Sequence, residues 1–518
     1  MPQKQEAQHS KRESPLHCLL PRCFVLCLIL AMSCKTSSNK LKTQGVSSAA
    51  VPCENNHSLA WVEALAFSTK APPHALNCIR DEFRNRSGLI DDQWYRLSPA
   101  RKDQSISVQN WVDLKLRSQG SDIYALYRNL ILQAQEEVIL QVSHWQSSSA
   151  ANILVKSFAS RAKSINNCVS CSKPINVKIL ISDLSESVQS KLESEFKKAH
   201  LDPQDLDIEI VPWHGEAGDR SNVNGLIVDG QIAVLGNAFV GPEFDQRLGW
   251  SSLAFTVTGH VVKELRRNAI NGIIRAKQGR YLVDPELADM FGVPYHREFK
   301  PRRWQKALSQ GFQGPDQAPM AFIPSDGPSS EQASTHHKSL LALIHHGKDN
   351  IRLRTPLLGD ELIISALARA LRRGVALEIL LSQGFYCDSK SQGHPGHSNH
   401  LGIQSLLRQA AVGLDHKLLD VRWFSFLKNG APEIAIGGIR SENRAAAISN
   451  GHFLSVDDEV VVIGSQMTLP QSMQSGRHSN LVIWGRTIAQ AWGEQAFEPS
   501  FQLALPVKSQ DLTDAACL

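Results

Sequence analysis

Two short stretches hold the residues whose types and spacing could do chemistry. Asn450 to Ser465 reads NGHFLSVDDEVVVIGS, and Asn222 to Asn237 reads NVNGLIVDGQIAVLGN. Each offers two polar residues at i and i+2, then an aspartate at a turn, an apolar run and a glycine. On a β-strand, i and i+2 share a face, so Asn222 projects with Asn224, and Asn450 with His452. Two such pairs brought together could grip one anionic ligand. An imidazole among them could act as nucleophile or proton donor, because histidine titrates near neutrality. An asparagine amide can donate a hydrogen bond to a phosphate but brings neither a proton nor positive charge. His452 is thus the one reactive group of the four. His478, expected on the neighbouring strand, is its natural partner in a division of nucleophile and acid roles.

The elements that must position these residues are written twice. Asp229 to Gly236 and Asp457 to Gly464 span the same seven steps, which marks an internal duplication. Before the first copy, helical spacing over Ile123–Glu136 leads to a strand at Val138–Val142 and then Ser143-His144-Trp145. A helix over Ala150–Lys163, a strand at Val177–Ser182, a charged helix ending near His200 and a strand at Ile208–Trp213 follow. The second half repeats the plan with helices over Ser339–His346 and Glu361–Arg373 and strands at Ile351–Thr355, Ala376–Ser382 and Val421–Phe426. Strands alternating with helices predict an α/β fold with a mixed sheet in each half. His144, at a strand end on the expected cleft side, is a candidate lining residue.

On these residues the chain resembles the phospholipase D superfamily, whose motif is H-x-K-x4-D, a β run and G-S or G-G, once per half. Anchored on Asp229, the His and Lys slots hold Asn222 and Asn224; anchored on Asp457, they hold Asn450 and His452. Gly464-Ser465 keeps the G-S pair. Trp250 to Gly259 is similar to the W-x-D-x-H-V-x-V-x-G strand of cardiolipin-synthase-like members, with Ser252 and Ala254 in its polar slots. Arg477 to Val482 resembles S-x-E-x-N-V, with His478 in the Glu slot and Asn480 retained. The resemblance covers roughly Ser121 to Phe501. It implies two α-β-α sandwich repeats packed with pseudo-two-fold symmetry, with no metal and no cofactor. In the family one histidine attacks phosphorus, the other protonates the leaving oxygen, lysines neutralise the phosphate, and the aspartates are structural.

Here the scaffold half of each motif survives and the reactive half is mostly replaced. Losing a general acid alone costs about 10²–10⁴ in rate. The expectation is an impaired or inactive phosphodiesterase that binds a phosphate-bearing ligand, a phospholipid or a nucleic-acid end. Two alternatives stand beside it: an active phosphodiesterase or phosphatidyltransferase using His452 and His478, and a cell-envelope scaffold that binds a protein partner.

With 518 residues and a formal charge of +5, the chain is neither a nucleic-acid-coating protein nor an acidic one. Lys11, Arg12 and Arg22 precede an apolar run from Cys23 to Met32. That run is shorter than the ~20 residues a bilayer span needs and reads as a secretory signal over residues 1–34. Ala31-Met32-Ser33-Cys34 further resembles a bacterial lipoprotein box, with Cys34 as the lipidated residue; plain secretion and a type II anchor are the other readings. The expected location is the cell envelope. Residues 35–120 are a tether and an unassigned region, 121–280 the first repeat, 281–335 a linker, 336–502 the second repeat and 503–518 a tail. Of ten cysteines, the six beyond Cys34 include Cys53, Cys78 and the Cys168-x2-Cys171 pair, which read as disulfides in an exported protein. His394, His397 and His400 recur every third residue in a polar loop. That spacing reads as a solvated loop, with metal binding as the alternative; Lys300, Arg302, Arg303 and Lys306 cluster around Trp304, where a solvated face, an anionic-lipid contact and nucleic acid fit alike.

Overall fold

The computed structural model describes residues 106–107, 110–166, 174–183, 186–199, 206–213, 221–244, 250–278, 315–326, 335–382, 398–411, 416–424, 449–465, 468 and 476–508. All of them belong to the second of the chain's two compact units, Cys53–Leu518. The expectations placed on Cys34, on Cys53, Cys78, Cys168 and Cys171, on the Lys300–Lys306 cluster and on His394 and His397 lie outside the described residues.

In chain order the first half runs β1 (Ile106–Ser107), β2 (Asn110–Asp113), α1 (Gly120–Gln133), β3 (Glu137–His144), α2 (Ser149–Asn166), β4 (Ile175–Asp183), α3 (Glu186–Lys198) and β5 (Leu206–Pro212). It continues with β6 (Asn224–Val228), β7 (Ile232–Gly236), β8 (Ala254–Gly259) and α4 (His260–Gln278). The second half runs β9 (Pro315–Gln317), β10 (Met320–Asp326), α5 (Thr335–His346), β11 (Asn350–Thr355), α6 (Glu361–Arg372), β12 (Ala376–Leu381), α7 (Asn399–Ala410) and β13 (Leu419–Trp423). It ends with β14 (Phe453–Val456), β15 (Val460–Gly464), β16 (Arg477–Trp484), α8 (Arg486–Trp492), α9 (Glu498–Leu503) and β17 (Leu505–Pro506).

Two mixed sheets result, ordered β5-β4-β3-β6-β7-β8-β2-β9 and β17-β13-β12-β11-β14-β15-β16-β10-β1. Among the described residues they match strand for strand, with β17 extra. The duplication read from the hairpins therefore extends over the whole sheet. The short leading strands are exchanged: β1 pairs with β10 in the second repeat's sheet, while β9 pairs with β2 in the first's. Residues 315–317 and 320–326, expected to be linker, are thus strands. Each repeat begins earlier than the sequence reading had it. β10 buries Met320, Ala321, Phe322 and Ile323 beside β16. Its Pro324 lies beyond the residues that β1 pairs, where a missing N–H is tolerated.

Helices α1 to α3 cover one face of the first sheet with a core that includes Tyr127, Leu140, Phe158 and Leu226. Helices α5 to α7 cover one face of the second with Ile344, Leu353, Leu367 and Val482. A third core joins the remaining faces of both sheets through α4, α8 and α9, including Phe255, Leu265, Phe453, Leu481 and Trp492. The layers run α-β-α-β-α, and the two motif hairpins lie on either side of the middle layer.

Both hairpins turn on aspartates in the left-handed region. Asp229 and Gly230 have φ of 51° and 62°, Asp457 and Asp458 of 55° and 50°, values an aspartate adopts more readily than most residues. Each first aspartate also anchors its repeat. The Asp229 carboxylate accepts from the N–H groups of Gln135, Glu136 and Glu137 at 2.8–3.1 Å, and Asp457 accepts from Lys348, Asp349 and Asn350 at 2.8–3.2 Å. Three charged hydrogen bonds gathered on one carboxylate are hard to replace. Asp229→Ala should cost about 2–4 kcal/mol. Asp458→Ala, which loses a half-exposed contact to Arg352, should cost about 1 kcal/mol or less. Urea unfolding of both variants checks this, and equal losses would refute the anchoring role.

Candidate functional site

The four motif residues sit where the two repeats meet, and most are tied up in the seam. The Asn222 N–H donates to the Arg477 carbonyl of the second repeat at 2.9 Å. From the other side, the Asn450 amide donates to the Asn237 carbonyl at 2.8 Å, the Asn450 N–H donates to Ser251, and the Asn237 amide donates to the Gly464 carbonyl. Each motif thus reaches across to the opposite repeat, as the pseudo-two-fold reading requires. Asn224 is turned inward within its own repeat: its Oδ1 accepts from the N–H and hydroxyl of Ser143 at 2.9 and 3.1 Å. The Asn450 amide is thus spent on backbone across the seam, and the Asn224 amide donates to the Asn222 carbonyl within its own repeat at 3.2 Å.

His452 and His478 are both buried, on the sheet face covered by α5 and α6. They are not on neighbouring strands as expected, because β15 lies between β14 and β16. The register Phe453↔Ile463 and Gly464↔Asn480 runs without a bulge, so His452 stays in the Lys slot. His478 Nδ1 lies 3.1 Å from the Ser465 carbonyl, which can only accept; Nδ1 therefore carries the proton and Nε2 is left without a partner. His452 Nδ1 is likewise unpartnered. Burial first, then His478 and Arg354, push His452 down to about 3. Burial pushes His478 down to about 4, although the Ser465 carbonyl opposes the shift. Both rings are neutral near pH 7, so neither offers a proton for a leaving oxygen.

The remaining expected positions hold structural bonds. The Ser465 hydroxyl accepts from the Ser479 N–H at 3.1 Å. Asn480 packs against Gly464, where any Cβ would meet its Oδ1. His144 is partly exposed, 2.6 Å from the Gln146 amide and edge-on to Phe239. His400 is buried against Trp423, not in a solvated loop. Among the described residues, no group of His, Cys, Asp and Glu is placed to hold a metal ion, and no helix is long and apolar enough to cross a membrane.

Sequence reasoning missed the two guanidinium groups of the seam. Arg354 on β11 donates to the Ser449 and Ser251 hydroxyls at 2.8 and 2.7 Å and to the Ala496 carbonyl at 2.6 Å. Arg477 on β16 donates to Gln141, Ser221 and Asn268 at 2.7–3.1 Å. Arg354 is 1% exposed and its hydrogen-bond partners are all neutral; burial pushes it down to about 9. It also missed His336 on α5, buried beside His452 and held well below its ordinary value by burial and then by His478, His337 and His452.

No family model matches the chain, and no curated protein sequence does. Solved structures do. A phosphatidylserine synthase from Haemophilus influenzae Rd KW20 is similar over 77% of this chain and 90% of its own, with a TM-score of 0.53 and 12% identity. Nuc from Salmonella typhimurium, a phospholipase D family member, matches over 37% of this chain and all of its own, with a TM-score of 0.26 and 16% identity. The first likeness spans both repeats and gives the fold.

Proposed function

We propose that this chain, which has the two-repeat fold of the phospholipase D superfamily, is a non-catalytic member of that fold that binds a phosphate-bearing ligand at the cell envelope. The observation that carries the loss of catalysis is the state of the motif positions. Asn224 is bonded to Ser143 of its own repeat and Asn450 to Asn237 of the other, and His452 and His478 are buried and neutral. A phosphohistidine route needs an exposed imidazole, a second that gives a proton, and cations on the phosphate. None of the three is met by these residues. Phosphate binding is supported by the fold and by the buried positive charge of Arg354 beside His452. The apolar run ahead of Cys34 supports export, with lipidation of that cysteine as the anchor.

The test is a paired assay on the purified chain. Hydrolysis of bis-p-nitrophenyl phosphate should equal that of His452→Ala, while phosphatidylglycerol vesicles should retain the protein in sedimentation. Turnover abolished by His452→Ala would replace this reading with the active-enzyme alternative. Neither turnover nor vesicle retention would leave the scaffold alternative.

A further inference from the structure

Three imidazoles meet between α5 and the second sheet. His336 comes from the first turn of α5, His452 from the residue ahead of β14 and His478 from β16, and none is more than 8% exposed. Nδ1 of His336, Nδ1 of His452 and Nε2 of His478 are buried without a hydrogen-bond partner. The walls beside His336 and His452 include Leu340, Ile344, Leu454 and Val462. A proton added at one of these nitrogens would meet no acceptor and no water, and a buried charge left in that state is costly.

The charged groups nearby divide along the same interface. His478 and His452 act on His336 across it, with His337 adding from the helix; Arg354 and His478 act on His452, and Arg477 on His478. All of these oppose a proton on the ring they reach. β10, also packed on α5, brings Asp326, in register with Arg477 rather than with His478. The bonds on the helix side run from helix to helix. His337 Nε2 lies 3.0 Å from Asp360 at the start of α6, and Arg373, just past its end, donates to the Ile344 and Gly347 carbonyls at 2.9 and 3.2 Å. A proton on His337 strengthens its pairing with Asp360. Acid thus sets like charges against each other across the interface while it tightens α5 on α6. His345 and His346, at the far end of α5, are exposed.

The first repeat has the same layer without the imidazoles. Asp229 accepts from residues 135–137 and Asp457 from 348–350, so α1 and α5 align with Ile123 in the place of His336. Asn224 and His452 each stand five residues before those aspartates. Ser252 and His478 each lie two before the residue facing Gly236 or Gly464. None of Ile123, Asn224 and Ser252 takes up a proton.

We propose that α5 and α6 form an acid-released layer, which in mild acid lifts as a unit from the second sheet and uncovers His452 and His478 while α1 and α2 stay on the first sheet. The motif position His452 is thereby shut at neutral pH and reachable in acid. This regulation does not rest on the phosphate-ligand reading.

Amide hydrogen exchange of the full chain at pH 7 and pH 5, each in a series of low urea concentrations and corrected for the intrinsic rate, measures the opening. An uncovered ring takes a proton near pH 6.5, so each one favours the open form about thirtyfold at pH 5. Two or more should lower the protection of α5 and α6 at least about a hundredfold between the two pH values. At pH 5 their exchange should depend on urea less steeply than that of α1 and α2, because a layer exposes less surface than the whole chain. His336→Leu should cut the pH effect at least about tenfold. Equal urea dependence in all four helices would mean whole-chain unfolding and overturn the layer. Undiminished protection of α5 at pH 5 would overturn the release, and a pH effect unchanged in His336→Leu would overturn the part played by the imidazoles. The comparison of α5 with α1 in the unaltered protein decides the matter if the variant fails to fold.

Discussion

Lowering the pH from 7.5 to 5 should remove about 4 kcal/mol of folding stability through His452 and His478 alone. In the unfolded chain both rings take a proton near pH 6.5. In the folded protein they resist protonation until about 3 and 4, first because burial disfavours the charged form, then because His478 and Arg354 stand near His452 and Arg477 near His478. Between those values the unfolded state binds more protons than the native one, so stability rises with pH. The stabilisation is complete above pH 6.5 and is lost as the pH falls through the window down to about 4. Each ring contributes about 2 kcal/mol at pH 5, one and a half units below its unfolded value. His336, also depressed, acts in the same direction. Urea unfolding at a series of pH values measures the slope, and His478→Gln should remove about half of the two-ring effect. A flat profile between pH 5 and 7.5 would mean that the rings are hydrated and titrate normally.

The same burial separates what the chain discloses from what it hides. The hairpins were legible because Asp229 and Asp457 occupy turns that few residues tolerate, and because apolar runs of fixed length follow them. The alternation of strands and helices was legible from periodicity. β10 was not: Met320 to Ile323 is a short apolar run flanked by Pro319 and Pro324, and composition reads such a stretch as linker. Its strand character comes from pairing with β16, a tertiary effect that outweighs local preference. Arg354 shows the limit most clearly. In the alternating strand Asn350–Thr355, Arg352 and Arg354 share one face and read alike. Arg352 is part-exposed and paired with Glu378 and Asp458; two residues on, Arg354 is sealed by the other repeat. His336 gives no local sign either, since only the packing of α5 brings it beside His452.

Moving one seam arginine across its junction, from position 354 in the second repeat to position 251 in the first, should reveal a coupling that neither change has alone. Registers fix the equivalences. Gln141 lies opposite Gly225 and Arg354 opposite Phe453, each three residues beyond its motif's first asparagine, so Gln141 and Arg354 correspond. Ser251 and Arg477 each precede by three the residue facing Gly236 or Gly464, so they correspond too. Parallel bridges join Ser221 to Arg477 and Ser251 to Ser449. The Ser221 and Ser449 N–H groups donate to the hydroxyls of Ser182 and Ser382 at 2.8 and 2.9 Å. Arg477 lies over Trp213 and Arg354 over Phe424, again matching residues. Each junction therefore holds one guanidinium in the same surroundings, supplied from β16 at one and from β11 at the other. Arg354→Gln removes three charge-assisted hydrogen bonds from a buried seam, leaving Ser251 only its bond to the Ser118 carbonyl and Ser449 only the Gly451 N–H, at a cost of about 2–4 kcal/mol. Ser251→Arg alone overfills a buried site and should also destabilise. Together they rebuild at the second junction the arrangement present at the first. The double variant should recover at least about 1 kcal/mol relative to the sum of the single losses. Chemical unfolding of the four proteins measures that coupling, and strictly additive losses would show that the two junctions are not interchangeable.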